Sequence, residues 1–121
     1  MSLSIFLSQL YVRIGNRFEN YVYELLRKKF SGYTIHVQHK LDSGLIPDFV
    51  LEGERDVIVV DAKAKEFLKK SDIDQVINYI QELDGDSGKI YVTNFTEISD
   101  LVEDYAARNA IDIEYTDWGT K

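Results

Sequence analysis

The sequence predicts an α/β domain in which a mixed sheet lies between helices. Three observations predict it. A long stretch of helical periodicity opens the chain. Short β-rich runs follow, and one of them, Val57-Ile58-Val59-Val60, has no polar face, which suits a central strand covered on both sides. Helix-like and strand-like segments then alternate, as crossovers to further strands require.

Ile5 to Phe30 carries the stripe Tyr11, Ile14, Phe18, Val22, Leu25 and Leu26, close to helical spacing. Gly15 is a point for a kink or split, and Ser31-Gly32 ends the helix, glycine being an easy C-terminal cap. Tyr33 to Lys40 is β-rich, and Asp42-Ser43-Gly44 reads as a turn. Ile46 to Glu52 is a second strand, and a hairpin turn over Glu52 to Arg55 leads to a third, Asp56 to Lys65. Ser71, with Asp74 three residues on, reads as an N-cap for a helix striped by Ile73, Val76, Ile77, Ile80 and Leu83. Asp84 to Gly88 is a loop, and Lys89 to Thr93 a fourth strand. Thr96 or Ser99 starts a third helix, and Ile111 to Tyr115 is an edge strand. The order is α-β-β-β-α-β-α-β.

At 121 residues the chain holds one core and one domain, residues 1–121. Hydrophobic residues at 45% and charged residues at 29% describe a soluble globular chain. No run of about 18 apolar residues is present to span a membrane. Met1 to Leu10 lacks the basic start of a secretory signal. The absence of cysteine excludes disulfides and thiolate-bound zinc, so the expected compartment is intracellular, the cytoplasm. The net charge of −7 is unevenly placed. Residues 1–70 hold 11 basic and 9 acidic side chains, and residues 71–121 hold 3 basic and 12 acidic. A cationic face in the first part is compatible with that distribution, and so is ordinary surface charge with an acidic C-terminal third.

Chemistry concentrates in Ile46-Pro47-Asp48-Phe49-Val50 and, thirteen residues on from Asp48, in Asp61-Ala62-Lys63. Alternation puts Asp61 and Lys63 on one face of their strand. Antiparallel pairing sets the start of one strand beside the end of the next, so Asp48 and Asp61 converge with Lys63 alongside. Two close carboxylates repel unless a cation lies between them, and hard oxygen ligands suit Mg²⁺ or Mn²⁺. The plainer alternative is a solvated strand tip.

Pro47-Asp48, Asp61-Ala62-Lys63 and the αβββαβ order from about Arg13 to Asn94 resemble the PD-(D/E)XK nuclease superfamily. The resemblance implies a restriction-endonuclease-like core, a mixed sheet flanked by helices. It also implies divalent-metal-dependent hydrolysis of phosphodiester bonds in DNA. Asp48 and Asp61 would be metal ligands, with the Ala62 carbonyl as a further one, and Lys63 would position the attacking water. Glu19, at the edge of the first apolar stripe, matches a first-helix glutamate that completes or neighbours the metal site in similar nucleases. Its alternative is a surface pair with Arg17 or Lys28. Gln75 and Tyr79 share a helix face at i, i+4, similar to a Gln-x-x-x-Tyr motif of RecB-like nucleases that lies near the site and the DNA.

Lys65, continuing the Asp61/Lys63 face, and Arg17, near Glu19 with Arg13, are candidate phosphate contacts; Lys69 and Lys70 read first as solvated. Ser43-Gly44 is similar to archaeal Holliday-junction resolvases and Tyr91 to Thr96 to Mrr-like restriction domains, so the assignment stays at superfamily level. His36 and His39, three apart on a strand, should point to opposite faces and be structural or surface residues rather than metal ligands or a general base. Trp118 is expected to anchor the tail or join a dimer contact. Such a small nuclease would act as a homodimer or within a larger complex. The alternatives are a nuclease fold with a lapsed site that binds nucleic acid or a protein partner, and an α/β domain whose motif is chance.

Overall fold

The computed structural model describes residues 17–119. Its first element is a helix, α1, over residues 17–29. Phe18, Val22 and Leu26 recur on one face and are completely buried, while Arg17, Asn20, Glu24, Arg27 and Lys28 face solvent. The predicted start of this helix at Ile5, with Tyr11, Arg13, Ile14 and Gly15, lies outside the described residues. The helix closes without a left-handed glycine, since Gly32 keeps a negative φ; the Phe30 N–H instead donates to the Leu26 carbonyl at 2.8 Å.

Five strands follow in one sheet: β1 Thr34–Val37, β2 Phe49–Glu52, β3 Val57–Lys63, β4 Ser87–Val92 and β5 Ile111–Tyr115. They lie in sequence order, antiparallel from β1 to β3 and parallel from β3 to β5. Helix α2, Lys70–Leu83, makes the crossover from β3 to β4, and α3, Asp100–Arg108, the crossover from β4 to β5. The predicted order and the central, doubly covered β3 are therefore present. Ile58 and Val60 pack with Phe18, Val22 and Leu26 of α1. Val59, between them, packs on the other side with Ile73 and Val76 of α2 and Ala106 of α3. Trp118, past β5, anchors the tail against Phe18, ring centroids 5.3 Å apart.

Two local expectations are corrected, and one left open is decided. The α2 cap lies two residues earlier than Ser71, at Lys69, whose N–H donates to the Asp72 carboxylate at 2.9 Å. Asp74, freed from capping, accepts from the Tyr105 hydroxyl and Lys70 and so ties α2 to α3. His36 and His39 do not diverge. Strand β1 ends at Val37, Gln38 turns through a left-handed φ of 50°, and the two imidazoles lie side by side with ring centroids 6.1 Å apart. The third helix is capped by Ser99, which accepts from the Val102 N–H at 3.3 Å. Among the described residues no helix is long and apolar enough to cross a membrane.

Candidate active site

The antiparallel register sets Phe49 opposite Val60. One step along, the start of β2 lies beside the end of β3, and Asp48 meets Asp61. The Asp48 N–H donates to Asp61 Oδ1 at 3.1 Å, and the Ala62 N–H donates to Asp48 Oδ2 at 2.8 Å. Each carboxylate is thus held by the other's strand, and a one-residue slip in register would part them. Asp61 is 2% exposed.

Burial dominates the electrostatics of the pair. It pushes the Asp61 carboxyl up to about 6, with the charge of Asp48 adding and Lys63 opposing. It pushes Asp48 up to about 6 as well, against the Ala62 amide and Lys63 and with the Glu19 carboxyl adding. The two titrate as a unit. Such a site is short of positive charge.

Lys63 supplies part of it. Alternation along β3 puts its side chain on the Asp61 face, where Nζ lies 3.3 Å from Asp61 Oδ2 and donates to Gln75 Oε1 at 2.6 Å. Gln75 is in turn hydrogen-bonded to Tyr79 one helical turn on, and burial together with Asp61 and Asp48 pushes that phenol up to about 12. The Gln-x-x-x-Tyr pair therefore faces the carboxylates. Glu19 reaches the same place from α1, on the other side of the sheet. Its carboxyl is within hydrogen-bonding reach of Asp48 and accepts from Gln38 Nε2 at 3.3 Å. Glu19, Asn20, Tyr23, Val37, Gln38 and Phe49 line a cavity of about 460 Å³ beside it.

Two sequence candidates remain. Arg17 is exposed, two residues before Glu19 in α1. Lys65 does not continue the Asp61/Lys63 face, because β3 ends at Lys63 and the Lys65 ammonium turns to Asp72, 2.8 Å from Oδ2. Two residues beyond the sequence candidates support the site, Gln38 through Glu19 and Asp72 through Lys65. Gln38 reaches Glu19 only through its left-handed turn, which nothing local announces. Asp72 was findable, since it lies three residues before Gln75 on the same helix face.

Among the described residues, no group of three or more His, Cys, Asp and Glu side chains is arranged to hold a metal ion by itself. The donor chemistry nevertheless fits a hard cation. Two desolvated carboxylates converge, and Mg²⁺ is commonly bound by one or two carboxylates and several waters rather than by an all-protein cage.

The profile of the PD-(D/E)XK nuclease superfamily matches residues 6–105 of the sequence. No curated protein sequence matches the chain. Among solved structures, the fold is similar to a repair endonuclease from Pyrococcus abyssi, at 12% identity and a TM-score of 0.54 over 78% of this chain and 45% of that one. It is similar to SfsA of Pyrococcus furiosus in complex with Ca²⁺, at 14% identity and 0.55 over 86% and 56%. It is also similar to EndoMS in complex with double-stranded DNA, at 12% identity and 0.60 over 83% and 44%. The chain spans about half the length of these structures, and at such identity the likeness is one of fold. The sequence match is stronger ground, for it runs through both motif strands and the helix that follows them: the chain belongs to the PD-(D/E)XK nuclease superfamily.

Proposed function

We propose that this chain is a divalent-metal-dependent DNA nuclease that hydrolyses phosphodiester bonds at the junction of β2 and β3. The observation that carries the reading is the cross-strand interlock of Asp48 and Asp61 with Lys63 beside them. Membership of a nuclease family supports the reaction class. A neighbour in fold bound to double-stranded DNA supports the substrate.

Asp48, Asp61 and the Ala62 carbonyl would hold Mg²⁺ or Mn²⁺, with Glu19 next to them. A cation there would supply positive charge against the negative charge that develops on the phosphate and would make a nearby water more acidic. The chain's own residues do the rest. Hydrolysis bonds a water oxygen to phosphorus, breaks the bond to the leaving oxygen, and leaves a proton on that oxygen. Lys63 donates to Asp61 and to Gln75, which leaves a third N–H to donate to a phosphate oxygen or to orient the water. Gln75 fixes that ammonium, and Tyr79 fixes Gln75. The partly exposed Gln75 amide offers a neutral contact to the DNA backbone, where another carboxylate would repel it, while Tyr79, 3% exposed, lies too deep to touch it. Arg17, exposed on α1, offers a charged one. Cutting both strands of a duplex with one site per chain calls for two copies, or for a partner chain that presents the second strand.

The test uses metal-stripped protein with labelled linear duplex, single-stranded and four-way DNA, with Mg²⁺ or Mn²⁺ restored. Metal-dependent cleavage that Asp61→Ala removes is the expected result. Wild-type protein that cuts none of these, or Asp61→Ala protein that cuts as well as wild type, overturns the reading. If cleavage is absent, calorimetry with Mn²⁺ distinguishes a lapsed site, which gives no heat dependent on Asp48 and Asp61. Light scattering of the protein–DNA complex gives the copy number.

A further inference from the structure

Asp61 and Asp72 are the two buried carboxylates among the described residues, and the proposed chemistry uses only the first. Asp72 is 8% exposed and sits in the first turn of α2. It accepts from Lys65 Nζ at 2.9 and 2.8 Å and from the Lys69 N–H at 2.9 Å. A buried charge that accepts three hydrogen bonds from two donor groups is held in one geometry. One turn further along the same face stands Gln75, the acceptor for Lys63.

Two parallel links therefore join the end of β3 to the first two turns of α2. Lys63 reaches Gln75, and Lys65, two residues later, reaches Asp72. The segment between them, residues 64–69, has no regular secondary structure of its own apart from an isolated pairing of Phe67 with Glu97. Packing of Ile73 and Val76 keeps α2 on the sheet, so without the Asp72 link only the N-terminal end of the helix shifts, and by a small amount, relative to β3. Gln75 moves with it, and the Lys63 ammonium loses the acceptor that keeps it beside Asp61.

We propose that the Lys65–Asp72 pair is a positioning strut for Lys63, and that Lys65 acts in the reaction through this link rather than by touching DNA. The inference rests on the proposed nuclease reading of the same site. It inverts the simplest view of an exposed-end lysine, because the two partners carry opposite charge. A phosphate contact would make Lys65 matter and Asp72 irrelevant. A strut makes them matter equally.

The experiment compares Lys65→Met, Asp72→Asn, the double variant and Lys65→Arg, each checked for folding by thermal melt. DNA affinity is measured in chelator across a salt series, and kcat and KM with Mg²⁺. Each single variant is expected to lower kcat by about ten- to a hundredfold, the scale of a small misplacement of a reacting group. The double variant is expected to lower it no further, and Lys65→Arg to recover most of the rate. DNA affinity and its salt slope should stay near wild type in Lys65→Met. The proposal is overturned if Lys65→Met weakens DNA binding with the salt slope reduced by about one while Asp72→Asn keeps its kcat.

A readout without catalysis covers the other failures. In metal-free protein, Asp72→Asn should shift the NMR signals of Lys63 Nζ and the Gln75 side-chain amide. Unchanged signals in a folded variant overturn the strut. Wild-type protein that cuts no DNA overturns the nuclease reading instead, and the NMR result still decides whether the strut exists.

Discussion

Asp61 takes its chemistry from its surroundings. The side chain is an ordinary aspartate, whose pKa near 3.8 becomes about 6 because the sheet and α2 exclude water from it. That shift has a consequence for stability. A carboxyl whose folded pKa lies above its unfolded value favours folding below the unfolded value, and this contribution is lost as pH rises through the folded one. For Asp48 and Asp61 the window runs from 3.8 to about 6. In chelator, Asp61→Asn should therefore gain on wild type in melting temperature as pH rises from about 4 to about 7. A difference between the two proteins that stays flat over this range would show that the buried pair carries no such penalty. Lys63→Met tests the neighbouring ammonium. It should lower kcat by about 10²–10³-fold, the usual scale for a donor aimed at developing charge. A Lys63→Met enzyme that cuts at the wild-type rate would remove that residue from the reaction.

Helix α2 faces two ways. One side covers the sheet through Ile73 and Val76, and its middle turns bring Gln75 and Tyr79 to the carboxylates. Its close approach to β4 depends on Gly88. A Cβ added there would meet Val76 Cγ1 at 2.7 Å and Ile80 Cδ1 at 3.1 Å. Gly88→Ala should thus cost about 1–3 kcal/mol in urea unfolding, with the midpoint lowered and the slope unchanged. A variant as stable as wild type would mean that the helix yields there without loss. At the other side of the sheet, α1 rests on Phe18, Val22 and Leu26, all completely buried. Leu26→Ala should cost about 2–5 kcal/mol, since a core leucine leaves a cavity that closes only in part.

Across the whole molecule the site is where the two layers meet. Glu19 arrives from the α1 side, and Lys63 with Gln75 from the α2 side. A cation held between Asp48 and Asp61 would bind the folded chain and not the unfolded one, so it would stabilise the entire domain. At a hundredfold excess over Kd this amounts to about 2.7 kcal/mol. Titration with Mg²⁺ or Mn²⁺ at neutral pH should raise the melting temperature of wild type, and Asp48→Asn and Asp61→Asn should each lose most of the gain. An equal rise in all three proteins would place the ion elsewhere.

Much of this was legible in the chain. The apolar run Val57 to Val60 marks a strand buried on both faces, and the helical stripes mark what covers it, because burial and periodicity are written locally. Pro47-Asp48 and Asp61-Ala62-Lys63 mark the candidate site, because a strand's alternation fixes which side chains share a face. Other features depend on groups far apart in sequence. The α2 cap moved from Ser71 to Lys69 because Lys65 and Asp72 found each other across the connecting segment. His36 and His39 met because Gln38 turns left-handed. The interlock of Asp48 with Asp61, and the loss of water around it, exist only once β2 and β3 are in register beneath α2. Sequence by itself determined which residues carry charge and which face of its own element each one takes. Tertiary structure alone decided which charges share a space and how dry that space is, since both depend on contacts between elements that no local pattern encodes.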